Sequence, residues 1–170
     1  AMDIENIGES LVNQLVDKNI IKDIGDLYYL KVEDLLPLER MGRILAEKIV
    51  RNIQNSKDRP LHRLIYGLGI FHVGKHVAEI LTQKFKTMDE FLKADIEDYM
   101  EIEGIGPKTA ESLYTFFHEP HNIELINKLK RAGVRMSEER KEGKLKNLVF
   151  VFTGALKSMS RHEAKELVKS

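Results

Sequence analysis

A chain of 170 residues, 42% hydrophobic and 32% charged, has the size and balance of one or two small globular domains. It holds no cysteine and no apolar run near the roughly 18 residues of a membrane span, which excludes a disulfide framework, a thiolate nucleophile, a cysteine-ligated zinc and a transmembrane helix. Its 27 basic and 27 acidic residues cancel, so general electrostatics cannot hold a polyanion and any such binding needs a local mechanism.

The balance is uneven along the chain. Residues 1–60 carry 9 basic and 11 acidic side chains, 61–120 carry 6 and 10, and 121–170 carry 12 and 6, so the bulk is mildly acidic and the tail basic. No signal-peptide pattern opens the sequence, and a cytoplasmic setting is the expectation.

In chain order, IENIGESLVNQL (4–15) reads as the end of one helix, a glycine turn and a second helix. DIGDLYYL (23–30) and VEDLLPL (32–38) read as short helices running into LERMGRILAEKI (38–49). RPLHRLIYGLG (59–69) predicts a helix with Pro60 near its start and Gly67 or Gly69 at its end. TMDEFLKADIEDYMEI (87–102) predicts two short helices, the first with the capping-box pair Thr87 and Glu90. EPHNIELINKLKRAGV (119–134) predicts a helix closing at Gly133.

Composition then shifts. MSEERKEGKLKN (136–147) is charged or polar and reads as a linker. LVFVF (148–152) reads as one buried strand ended by Thr153-Gly154, and SRHEAKELVKS (160–170) as a helix capped by Ser160. A single strand and helix leave backbone groups unpaired, so residues 148–170 are expected to be part of a larger domain.

The first 135 residues hold an internal repeat. IFHVGKHVAEIL (70–81) and IEGIGPKTAESL (102–113) coincide at five of twelve positions, and 38–49 and 4–15 fall into the same frame. The unit is two apolar residues three apart, Gly, a small residue or Val four on, and an apolar residue three later. The two apolar residues read as the end of one inward-packed helix. Gly8, Gly42, Gly74 and Gly106 read as sharp turns using glycine's access to positive φ and close approach. The following residues repeat every 3.6 positions, as on an amphipathic helix. Ala46, Ala78 and Ala110 let two helices cross closely.

The first turn of each such helix has unpaired N–H groups and a partial positive charge, which suits a phosphate. Ser10, Arg43, Lys75, His76, Lys108 and Thr109 flank the glycines and are candidates for added polar contacts that carry no sequence information. Two residues before each glycine stand Asn6, Arg40, His72 and Gly104. Asn and His tolerate a left-handed turn moderately and Arg poorly, so the second turn is expected to serve packing, with weak or no phosphate contact. His72 and His76 are four apart but separated by the Gly74 turn, so they share no helix face and no metal site is expected. Asp58, Asp95 and Asp98 are scattered on helical surfaces and HEPH (118–121) reads as a solvated turn, so no acid–base catalyst is expected. No Walker loop or dinucleotide fingerprint occurs.

This repeat resembles the helix-hairpin-helix family of DNA-binding motifs, GIGPKTA (104–110) most closely. The segment 148–170 resembles the opening of a BRCT domain. The two together, with AMDIENIGESLVNQLVDKNII, DLYYLKVEDLLPLERMG, LIYGLGIFHVG and IEGIGPKTAESLYTFF in that order, resemble the C-terminal part of the bacterial NAD-dependent DNA ligases. The resemblance implies an all-α domain of four helix-hairpin-helix motifs over 1–135, a linker over 136–147 and an incomplete α/β segment over 148–170. It implies sequence-independent binding of nicked duplex DNA through minor-groove phosphates, in replication and repair, beside the ligase's remaining domains. It implies DNA contacts at Asn6, Gly8, Ser10, Gly42, Arg43, His72, Gly74, Lys75, His76, Gly104, Gly106, Lys108 and Thr109. The family's adenylated lysine lies in a Lys-x-Asp-Gly motif that is missing here, so this chain alone is expected to be no enzyme. NAD, a divalent metal ion and zinc would be bound outside it, and the setting would be the bacterial nucleoid. The alternatives are a module of a DNA-repair nuclease or junction-binding subunit, and a helical protein-interaction module.

Overall fold

The computed structural model describes residues 1–138, which form one compact unit. Residues 139–170 lie outside the described part, and with them most of the expected linker and all of the segment 148–170. The described residues hold α1 (Glu9–Asp17), α2 (Val32–Leu35), α3 (Arg43–Ser56), α4 (Leu61–Gly67), α5 (Lys75–Lys84), α6 (Met88–Lys93), α7 (Ile96–Met100), α8 (Pro107–His118) and α9 (Pro120–Arg131). Their only extended pairing is the isolated bridge of Thr87 with Ser137.

Most expected boundaries lie within a residue or two of those observed, because turn chemistry fixes them. Thr87 Oγ1 accepts from Glu90 N while the Glu90 carboxylate accepts from Thr87 N, closing the capping box of α6. Gly133, at φ 86°, ends α9. Within residues 23–30, read as a short helix, Asp26–Tyr29 is a 3-10 helix. The Asp23 and Asp26 carboxylates accept from the backbone N–H groups of Lys22, Asp23, Gly25 and Asp26, which competes with α-helical bonding.

Helices pack in pairs across the turns: α2 on α3, α4 on α5 and α7 on α8. Ala46, Ala78 and Ala110 are fully buried, as their size requires. Phe85, Phe91, Tyr99 and Phe117 form an aromatic cluster with ring centroids 5.1–6.5 Å apart. The Tyr99 hydroxyl donates to Phe91 O at 2.8 Å, so its burial leaves no polar atom unpaired. Residues 135–138 run back along this body: Arg135 N donates to Lys57 O at 2.9 Å, Met88 N to Met136 O at 2.9 Å and Glu138 N to Lys86 O at 2.8 Å. The segment read as linker from 136 onward is therefore paired through 138.

Lys128 of α9 joins the early chain to the late. Its ammonium bonds both Asp23 carboxylate oxygens, at 2.9 and 3.1 Å, and pairs with Asp26. Partial burial disfavours the Asp26 carboxylate, but Lys128 and the N–H groups of Lys22 and Asp23 outweigh it and hold its pKa below the usual 3.8. The stabilisation from Asp26 is complete above that value and is lost as pH falls through the lower folded one.

Two outcomes follow from this packing. Ala78→Leu or Ala110→Leu should cost about 1–3 kcal/mol of stability by overpacking, read from urea unfolding. Lys128→Met should move the acid-unfolding midpoint to higher pH, followed by circular dichroism, because Asp26 then loses the cation that keeps it ionised.

Candidate functional site

The four repeats share one backbone. Val12 N donates to Gly8 O at 3.1 Å, Ala46 N to Gly42 O at 2.9 Å, and Ala78 N and Ala110 N to Gly74 O and Gly106 O at 3.0 Å. Each bond is the first of a helix. Before the glycine, Ile7 N donates to Ile4 O, Val73 N to Ile70 O and Ile105 N to Ile102 O, closing four-residue turns. The third residue of each repeat's turn is left-handed: Asn6 at φ 66°, Arg40 at 56°, His72 at 64° and Gly104 at 89°.

Three expectations change here. The apolar residues three apart are the two ends of a turn, not successive positions on a helix. Positive φ belongs to the residue two before each glycine. Gly8, Gly42, Gly74 and Gly106 themselves lie between φ −83° and −109° with ψ from 163° to 179°, extended backbone open to any residue. Arg40 also adopts the left-handed conformation that its side chain disfavours, so the second turn is built like the rest. The first repeat departs in another way, having a turn but no helix among residues 1–8.

Packing does not explain the glycines. A Cβ added to any of the four would meet nothing within 4 Å. Helix capping does not explain them either. Five helices of the described residues begin elsewhere, and each has a carboxylate of the protein at its start. Asp34 accepts from Lys31 N, Glu138 from His62 N, Glu90 from Thr87 N, Asp98 from Asp95 N and Glu119 from Asn122 N. The four glycine-led helices have no side-chain cap. Their first-turn N–H groups are left without an internal acceptor, at corners where the glycines are all exposed.

The flanking candidates fall at these openings. Arg43 and Lys75 are the first residues of α3 and α5, and Ser10, His76 and Lys108 the second of α1, α5 and α8. All five are exposed, and Thr109 is half-buried. Of the four glycine-led helices only α1 has an acid in its first turn, Glu9, which opposes an anion there.

The first two turns are held reciprocally. Gln14 of α1 accepts from Glu39 N in the second turn at 2.9 Å, while Asn52 of α3 donates to Glu5 O in the first at 3.0 Å. Ile80 of α5 lies 3.8 Å from the Cβ position of Gly104 in the fourth turn, while α8 faces the third across a groove of about 470 Å³. That groove brings His72 and Lys108 together, beside Phe71 and Phe116. Gln14 and Ile80 occupy the same place, six residues after their glycines, as Asn52 and Phe116 do at ten.

Sequence reasoning missed two side chains. Phe71 in the third turn is 80% exposed and Ile44 in the first turn of α3 is 85% exposed. The signal was available: an apolar residue at a turn position where other copies carry a polar one. Among the described residues no group of three or more His, Asp or Glu is placed to hold a metal ion, and no helix is long and apolar enough to cross a membrane.

The family model for the helix-hairpin-helix motif matches residues 63–126, from α4 into α9, covering the third and fourth turns. Curated relatives extend the match. A DNA ligase of Halothermothrix orenii is 49% identical over 99% of this chain, one of Thermoanaerobacter sp. (strain X514) is 47% identical over 99%, and one of Coprothermobacter proteolyticus is 48% identical over all of it. This chain is a relative of a segment of the bacterial DNA ligases. It spans about 26% of the length of each of these three.

The left-handed conformation at position 40 makes a direct test of the turn geometry. Arg40→Gly should stabilise the fold by about 1 kcal/mol in urea unfolding, since glycine enters that region without the Cβ penalty.

Proposed function

We propose that this chain is the duplex-gripping part of an NAD-dependent DNA ligase, holding DNA through backbone amides at its glycine turns. The observation that carries this reading is the division among helix starts. Five are occupied by the protein's own carboxylates, and four are open, exposed and led by a glycine that neither packing nor φ requires. An oxyanion from outside fits the four as internal carboxylates fit the five. A phosphate is the oxyanion that nicked duplex DNA, the substrate of a ligase, presents at regular intervals. Relatives named DNA ligase over the whole chain support the same choice.

On this reading the amides of Gly42, Gly74 and Gly106 hairpins grip phosphate, with Arg43, Lys75, His76, Lys108 and Thr109 adding polar contacts. Asn6, His72 and Gly104 shape the turns. The hairpin of Gly8 and Ser10 binds least, because Glu9 repels phosphate at its helix start. Such contacts follow the minor groove without reading sequence, and they help a ligase enclose a nick in replication and repair. Adenylation by NAD, the divalent ion and the zinc site belong to parts of a ligase outside this chain. Residues 148–170 we assign to the opening of a BRCT domain, and the setting to the bacterial cytoplasm, at the nucleoid.

The test is titration of the 170-residue chain with duplexes of unrelated sequence. Gly74→Val or Gly106→Val should weaken binding about tenfold or more, and by more than Lys108→Ala does, while both glycine variants stay folded. The slope of log K against log salt should be about −4 or shallower, since few cations are on offer at about −0.9 each. Equal loss from the lysine variant, or a slope steeper than about −6, contradicts grip by amides. Absence of duplex binding favours a protein-interaction module instead.

A further inference from the structure

The four turns differ at their second residue. The first, second and fourth place Glu5, Glu39 and Glu103 there, and all three are exposed, as solvated acids should be. The third places Phe71, whose ring is 80% exposed. A phenyl ring left in water is unfavourable, and nothing among the described residues covers this one.

The ring is presented on a fixed support. Ile70 and Val73 on either side are buried, and Val73 N donates to Ile70 O at 3.0 Å. The His72 imidazole stands edge-on to it, with centroids 6.0 Å apart. Little ordering is therefore left to do on binding.

Charge separates this hairpin from the others as well. Written from the turn's second residue, the four read ENIGES, ERMGRI, FHVGKH and EGIGPK, and only the third is free of acid. Three residues past Phe71 come Gly74, then the uncapped start of α5 with exposed Lys75 and His76. An apolar tip thus stands beside an anion-attracting rim. A minor groove has that layout, with sugar and base surfaces between two phosphate rails.

We propose that Phe71 is an apolar wedge that enters the minor groove of bound duplex and partly unstacks one base step, while the α5 amides and Lys75 hold neighbouring phosphate. This rests on the reading of the hairpins as duplex-binding elements. Pyrimidine–purine steps, which unstack most easily, are its preferred sites. The acid-bearing turns lack such a tip and serve only to grip.

The experiment titrates duplexes carrying 2-aminopurine in place of adenine at TA steps with the 170-residue chain, Phe71→Ala and Phe71→Leu. The unaltered chain should brighten the probe as the base unstacks. Phe71→Ala should bind about tenfold more weakly or worse and leave the probe dim at saturation. Its salt slope should be unchanged, because no cation is lost, whereas Lys75→Ala should make the slope shallower by about 0.9. Phe71→Leu should keep most of the affinity. Phe71→Ala binding as tightly as the unaltered chain overturns the wedge and leaves Phe71 to a protein contact. Binding without brightening also overturns it while sparing the grip by amides. No duplex binding at about 100 µM protein overturns the duplex reading, and the wedge with it.

Discussion

Amide hydrogens without acceptors govern this structure. Every α-helix begins with N–H groups that its own carbonyls cannot reach, and something else must satisfy them. Here the outcome divides cleanly: helices that do not follow a glycine turn take a carboxylate from nearby, even from Glu138 at the far end of the described chain. Helices that follow one take nothing from the protein. Serine, asparagine or aspartate would cap better than glycine at those places, and the extended φ of each would admit them. Glycine there makes sense as cleared space in front of a donor set.

On the proposed reading, that arrangement removes the difficulty posed by a net charge of zero. A surface that attracts DNA by cation density needs an excess of lysine and arginine, and its affinity falls steeply with salt. Oriented amides are neutral, so they add attraction without adding charge, and acids elsewhere on the surface are tolerated at a distance set by screening. Acids inside the first turn are another matter. Glu9 alone breaks the pattern, which grades the four openings rather than leaving them equivalent.

Much of this was legible in the sequence, and the failures are instructive. The repeat placed all four glycine turns, because Gly, the small residue four on and the flanking apolar residues recur in a fixed frame. Capping pairs such as Thr87 and Glu90 placed helix starts, because their hydrogen bonds are local. The assignment of positive φ to the glycines misled, since glycine permits left-handed backbone but does not require it. Arg40 misled in the opposite sense: propensity argued against the left-handed turn, and packing of Leu38 and Ala46 overrode it. The 3-10 turn at Asp26–Tyr29 follows the Asp23 and Asp26 carboxylates, which take nearby backbone N–H groups that a longer helix would need, a competition that the apolar pattern does not show. The exposure of Phe71 and Ile44 went unread although the other copies carry polar residues at those places. Apolar residues in a repeat are read as core until the fold fixes which way each turn faces.

The reciprocal bracing of the turns explains how strained corners persist in a small body. A non-glycine residue in the left-handed region costs about 1–2 kcal/mol, and three of the four turns carry one. The first and second turns are each anchored by the other repeat's second helix, through Gln14 and Asn52, and Ile80 of α5 lies beside the fourth turn. The close helix crossings at Ala46, Ala78 and Ala110 bring those helices within reach. Loosening one crossing would therefore release a turn belonging to a different repeat. For the first two repeats the pair, rather than the single hairpin, holds the turns in place, and Ile80 stands at the same spacing from its glycine as Gln14 does.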